Sequence, residues 1–168
     1  MFNIGDRVLY GIHGICTVTA IESMCFGKTR RKYYCLQPLE QTDSCYYVPT
    51  ENEAAVAKLS PLMSKEALLE LLHCEKVRQN NWISDENQRK LRYRELITSA
   101  DRGALLNMVY CLYQHKEILR KTNKKFHQCD DAFLHDAQKL LNSEFCMVFD
   151  LKPDEVGQFI QKQLNVGL

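Results

Sequence analysis

Pro61-Leu62-Met63-Ser64-Lys65-Glu66-Ala67-Leu68-Leu69-Glu70-Leu71-Leu72 is the stretch where this sequence changes its period. Ser64 is a good N-cap, because its hydroxyl can accept from a free N–H of the first helical turn. Leu68, Leu69, Leu71 and Leu72 then gather on one apolar face, which predicts a helix over residues 65–79. Ahead of this stretch no helical period is found. The chain therefore reads as two halves, one of strands and one of helices.

Working back from residue 61, short strands are separated by turn residues. Arg7-Val8-Leu9-Tyr10 precedes Gly11-Ile12-His13-Gly14, whose glycines suit a turn. Residues 15–22 are β-branched and apolar, with Ile15, Thr17, Val18, Thr19 and Ile21. Residues 26–32 carry a glycine and four basic residues, as a hairpin tip would. Tyr33-Tyr34-Cys35-Leu36 resumes the strand, residues 41–44 form a polar turn, and Cys45-Tyr46-Tyr47-Val48 is a further strand. Pro49 closes it, since proline has no N–H to give a sheet ladder. Short strands at this spacing point to a small, strongly bent β-barrel.

Working forward, Asp85 caps a helix to about Ser99 and Asp101 caps another to about Thr122, the second with Leu105, Met108, Val109, Leu112 and Leu119 at helical spacing. Asp130 or Asp131 starts a fourth helix through Phe133, Ala137, Leu140, Leu141 and Phe145. Pro153 opens a fifth, with Val156, Phe159, Ile160 and Leu164 on one face. The fold class is therefore α+β: a β domain over residues 1–55, then a bundle of about five helices over 64–168, joined near 52–63.

With 45% apolar and 26% charged residues the chain falls in the ordinary globular range. Its net charge of +1 means that nucleic-acid binding would have to come from a local patch. Met1 to Asp6 places an acid where a secretory signal needs bases, and no apolar run is long enough to span a bilayer, so a cytoplasmic location without membrane contact is expected. The eight cysteines (Cys16, Cys25, Cys35, Cys45, Cys74, Cys111, Cys129 and Cys146) include no CxxC pair. They read as reduced, packing thiols rather than zinc ligands or disulfides, and no metal or cofactor is expected. The histidines His13, His73, His115, His127 and His135 fall in no HExxH, and GxSxG, Walker A and GxGxxG motifs are absent. Neighbouring helical positions diverge by about 100°, so His73 and Cys74 cannot share a target. An enzyme is not indicated.

Trp82 is the only tryptophan, lying in Gln79-Asn80-Asn81-Trp82-Ile83-Ser84-Asp85 between two predicted helices. Two readings stand side by side: an exposed aromatic wedge for a distorted base step, or a junction residue packed on the bundle. Gln88-Arg89-Lys90-Leu91-Arg92-Tyr93-Arg94 follows, and Arg89, Lys90 and Arg94 can share much of one helix face. That face could hold phosphates without reading sequence, or simply be solvated. The clusters at Lys28 to Lys32 and at Lys116, Arg120, Lys121, Lys124 and Lys125 suit a solvated tip and the negative end of a helix dipole.

Taken in order, Phe2-Asn3-Ile4-Gly5-Asp6-Arg7-Val8-Leu9-Tyr10, His13-Gly14, Ile21-Glu22, Tyr33-Tyr34 and Val48-Pro49 resemble the RNA-polymerase-interacting domain shared by CarD-like regulators and the transcription-repair coupling factor. Asn81-Trp82 before a basic helix, Ser99-Ala100-Asp101 near that family's Ser-Gly-Asp, and Ala137-Gln138-Lys139-Leu140-Leu141 with Glu144 are similar to the CarD-like helical half. The resemblance implies a Tudor-like barrel that docks on the RNA polymerase β subunit, here through Met24, Tyr46, Tyr47, Val48 and Pro49. It also implies a helical domain meeting promoter DNA, without sequence preference, at the upstream edge of the bubble. Trp82 would be the wedge there, and Arg89, Lys90 and Arg94 the phosphate contacts. The implied protein is a bacterial, monomeric, non-enzymatic transcription regulator that stabilises the open promoter complex. The alternative is an interaction module that binds polymerase or another partner without touching DNA. This chain departs from the family in having Gly11 where proline is common, and Tyr47 and Met24 where members are often basic.

Overall fold

The structure, a computed structural model, describes residues 1–26, 29–39 and 43–166. The tip expected at 26–32 and the polar turn at 41–44 thus lie partly outside the described residues, Lys28, Gln41 and Thr42 among them. The chain divides into two compact units, Met1–Leu62 and Met63–Leu168.

The first unit is an antiparallel sheet of five strands: β1 (Arg7–Tyr10), β2 (Ile15–Phe26), β3 (Thr29–Pro38), β4 (Tyr46–Pro49) and β5 (Leu59–Pro61). They pair in the order β4-β3-β2-β1-β5, so β4 and β5 lie on the outside. Gly11 and Gly14 take φ of 45° and 75° around a short 3-10 turn that folds β2 back on β1. Glycine reaches those angles without a Cβ penalty. Gly11 also donates its N–H to the Lys58 carbonyl (3.2 Å), a bond that proline could not make. The pairing of β2 with β3 slips between Val18 and Ala20, where the Thr19 hydroxyl donates to the Cys35 carbonyl (3.2 Å). Val8, Cys16, Val18, Tyr34, Leu36, Val48 and Leu59 form the core.

The segment read as a join carries structure of its own. Asn52 caps the single turn α1 (Glu53–Val56) by accepting from the Ala55 N–H, and Ala55 and Val56 pack on the core. β5 then pairs with β1 through Leu59↔Tyr10. This strand was not anticipated, because three residues ending in proline give no alternation to read.

The second unit contains α2 (Lys65–His73), α3 (Glu86–Ser99), α4 (Arg102–Lys121), α5 (Gln128–Phe149) and α6 (Pro153–Leu164). Ser64, Asp85 and Asp101 cap α2, α3 and α4 through side-chain oxygens, as the sequence predicts. α2 is six residues shorter than expected, ending at His73 rather than 79. Arg78 turns back there and donates to the carbonyls of Leu72 (3.3 Å) and Gln163 (2.7 Å), satisfying acceptors near the ends of α2 and α6. α5 starts at Gln128, ahead of Asp130 and Asp131, which occupy its first turn and complement the helix dipole. α4 packs against each of the other four helices. Its buried residues Leu105, Leu106, Met108, Val109, Leu112 and Tyr113 belong to the core. Glu144 is also buried, closed off by Arg102 (2.8 Å) and the Met63 N–H (2.9 Å).

Candidate nucleic-acid interface

Between α2 and α3 the chain runs from Cys74 to Asp85 without a regular helix, and this loop carries Trp82. Its course is set from α4. The Asn107 side-chain amide donates to the carbonyls of Val77 (2.9 Å) and Gln79 (2.8 Å), and its Oδ1 accepts from Asn81 Nδ2 (3.2 Å). Four residues on, the Cys111 thiol donates to the Gln79 carbonyl (3.6 Å) and accepts from the Asn81 N–H (3.3 Å). Burial raises the Cys111 pKa, so the thiol stays protonated and can do both. Four residues further, the His115 ring stacks on Trp82 with centroids 3.7 Å apart and planes 15° apart. Asn107, Cys111 and His115 thus form one stripe of α4, the i, i+4, i+8 spacing of a single helix face.

The other side of the indole belongs to α3. Arg89 Cζ lies 4.5 Å from the centre of the Trp82 ring. Arg89 is only 5% exposed and its fork is fully engaged. Nε and Nη2 meet the Asp130 carboxylate at 2.9 and 3.0 Å, and Nη1 donates to the Ile83 carbonyl at 2.8 Å. Burial works against the charged guanidinium, but Asp130 outweighs it and holds Arg89 above its ordinary pKa. In this arrangement Arg89 braces Trp82 and is not presented to solvent as a phosphate contact needs to be. Trp82 is partly buried, packed on the core from one side. Both readings of it therefore find a counterpart: it is anchored, and it still reaches the surface.

Arg89 and Tyr93 are the buried residues of α3, which turns Lys90 and Arg94 onto the neighbouring face. Lys90 is partly exposed and paired with Glu86, and Arg94 is exposed. Of the sequence-predicted set, Arg89 alone meets Trp82, while Lys90 and Arg94 lie on another face of α3. Asn107, Cys111, His115 and Asp130 were missed by sequence reasoning. The polar i, i+4, i+8 stripe on an otherwise apolar helix was the available signal for three of them. Nothing local marks Asp130 as the partner of a residue 41 positions earlier.

In the first unit, Tyr46, Tyr47, Val48 and Pro49 make up the outer strand β4. Tyr47 is 44% exposed and Tyr46 half-buried, flanked by the rings of Tyr10 and His13 at 5.7 and 4.4 Å. Val48 is 1% exposed, so it anchors the strand from inside. Met24 lies on β2 opposite Arg31, half-buried and away from β4. All eight cysteines are free thiols. Among the described residues no helix is long and apolar enough to cross a membrane.

Compared with known families, residues 2–61 match the one described as the CarD-like/TRCF RID domain. The match spans the five-stranded unit and ends at Pro61. No curated protein matches the chain.

Proposed function

Because the N-terminal unit is a CarD-like/TRCF RID domain, and the chain so a transcription-related protein that interacts with RNA polymerase, we propose that it is a bacterial regulator holding open promoter complexes. In this reading β4, with Tyr46, Tyr47 and the backbone of Val48 and Pro49, meets the polymerase β subunit, and Met24 extends the docking surface. An outer strand with an exposed tyrosine, Tyr47, suits strand addition to a partner sheet. The helical unit meets DNA at the upstream fork of the bubble. Trp82 enters the minor groove edge-first, and Lys90 and Arg94 contact phosphates without reading sequence. Arg89 serves by bracing the indole.

The observation that carries this reading is the mounting of Trp82: a lone tryptophan, partly exposed, on a pinned loop that leads into the helix carrying Lys90 and Arg94. The mechanism is a population shift. A protein that binds parted duplex better than closed duplex favours the open complex by that difference in affinity and by no more. Docking on polymerase raises the local concentration of the DNA-binding unit, so a weak patch on a chain of net charge +1 suffices. In this reading the protein acts as a single copy in the cytoplasm and needs no cofactor.

One observation favours the alternative of an interaction module without DNA contact: both faces of Trp82 are covered by protein. The two readings separate in one experiment. Polymerase capture with Trp82→Ala is unchanged in either, whereas open-complex lifetime falls only if Trp82 meets DNA.

A further inference from the structure

We propose that His115 is a positioning residue for Trp82: its imidazole, stacked on the indole opposite Arg89, holds the ring in the one orientation that the DNA-facing edge requires. This rests on the proposed function for its consequence, though not for its geometry. Three observations carry it. The rings are nearly parallel at 3.7 Å, with Arg89 Cζ 4.5 Å from the indole centre. Both braces are themselves fixed, Arg89 by its buried pair with Asp130 and His115 by its place on the central helix α4. The loop backbone is held from the same stripe by Asn107 and Cys111, so the ring's own rotation is the freedom left for His115 to remove.

Charge matters to the clamp. Arg89 from α3, Asp130 from α5 and His127 just ahead of α5 all act on His115. Burial lowers its pKa, Asp130 opposes this, and Arg89 and His127 add to the lowering. His115 is therefore neutral near neutrality, and the indole carries one cation, Arg89. As the pH falls through the His115 pKa, below the ordinary histidine value of about 6.5, a second cation appears against the same ring. The lost stability is that of the neutral stack, which is whole above that value.

The test uses the full chain, whose sole tryptophan is Trp82, so its emission reports on this ring alone. The variants are His115→Ala, His115→Gln, which keeps polarity but has no ring, and His115→Phe, which restores a flat partner. Fluorescence anisotropy should show Trp82 loosened in the Ala and Gln variants and restrained again in Phe. As the pH falls below about 6.5 the wild-type emission should step, while His115→Phe stays flat. Freeing one large side chain should shorten open-complex lifetime roughly two- to tenfold in Ala and Gln, with Phe recovering it. Where His115→Ala does not fold, Gln and Phe still decide the matter. Equal anisotropy in wild type and Gln overturns the proposal. So does a loosened ring with unchanged lifetime while Trp82→Ala shortens it. If Trp82→Ala has no effect on lifetime, the proposed function falls, while anisotropy set by His115 still upholds the positioning.

Discussion

Asp130→Asn tests the internal logic of the site without any partner. Asp130 is 3% exposed and Arg89 5%, so neither charge has water to fall back on. The substitution keeps the side-chain shape but removes the charge that accepts from Nε and Nη2 at 2.9 and 3.0 Å. Arg89 would keep its bonds to the Ile83 and Ser84 carbonyls and one to the amide oxygen, with an amide NH2 facing its remaining N–H. Leaving one member of a buried pair uncompensated costs about 3–5 kcal/mol. Against a typical domain stability of about 5–15 kcal/mol this is a large fraction. Urea denaturation followed by helical circular dichroism measures the loss, and Trp82 emission should shift as its brace retracts. The matched control is the next residue: Asp131 pairs with Lys116 in the open, with side chains 61% and 47% exposed, so Asp131→Asn should scarcely register. Replacing the pair together, Arg89→Met with Asp130→Leu, should recover much of the stability, because the desolvation of both charges goes with it. A cost below about 1 kcal/mol for Asp130→Asn, no larger than for Asp131→Asn, would refute the picture of Arg89 as a buried brace.

Three smaller tests address other features. The Tyr93 hydroxyl is buried with no hydrogen-bond partner among the described residues, so Tyr93→Phe should be neutral or stabilise by about 1 kcal/mol in the same denaturation experiment. Ala100 ends α3 with φ of 50°, a left-handed angle suited to glycine, so Ala100→Gly should stabilise by about 1 kcal/mol; a loss would mean that the cap is formed differently. Burial, with Cys45 adding to it, pushes the Cys16 thiol up to about 11, so near pH 8 it holds almost no thiolate. Alkylation tracked by mass spectrometry should therefore label exposed Cys25 and Cys45 well before Cys16.

The parts of this fold that were legible in the sequence are those fixed by neighbours. Asp85 and Asp101 name the starts of α3 and α4 because a cap acts over three residues, and Pro153 names α6 because its fixed φ and missing N–H suit the first helical turn. The end of α2 was not legible: residues 74–79 are competent helix formers, and they leave the helix because Arg78 and Asn107 bind carbonyls far away in sequence. Arg89 shows the limit most clearly. In a run of charges it looks like its neighbours Lys90 and Arg94, and only Asp130, on another helix, makes it an interior residue. Trp82 was legible as unusual, being aromatic among polar residues. Its bracing was not, since Arg89 and His115 come from two helices. Ala100 ends α3 at a left-handed angle that only the folded backbone reveals, since alanine gives no sign of it in the sequence.

Whether Trp82 acts on DNA is decided by open-complex lifetime on RNA polymerase, measured with wild type, with Trp82→Ala and with Lys90→Ala/Arg94→Ala. Every form should be captured by polymerase alike, wild type should prolong the open state, the double variant should do so less, and Trp82→Ala should lose the effect. A lifetime that wild type and Trp82→Ala prolong equally would contradict that action.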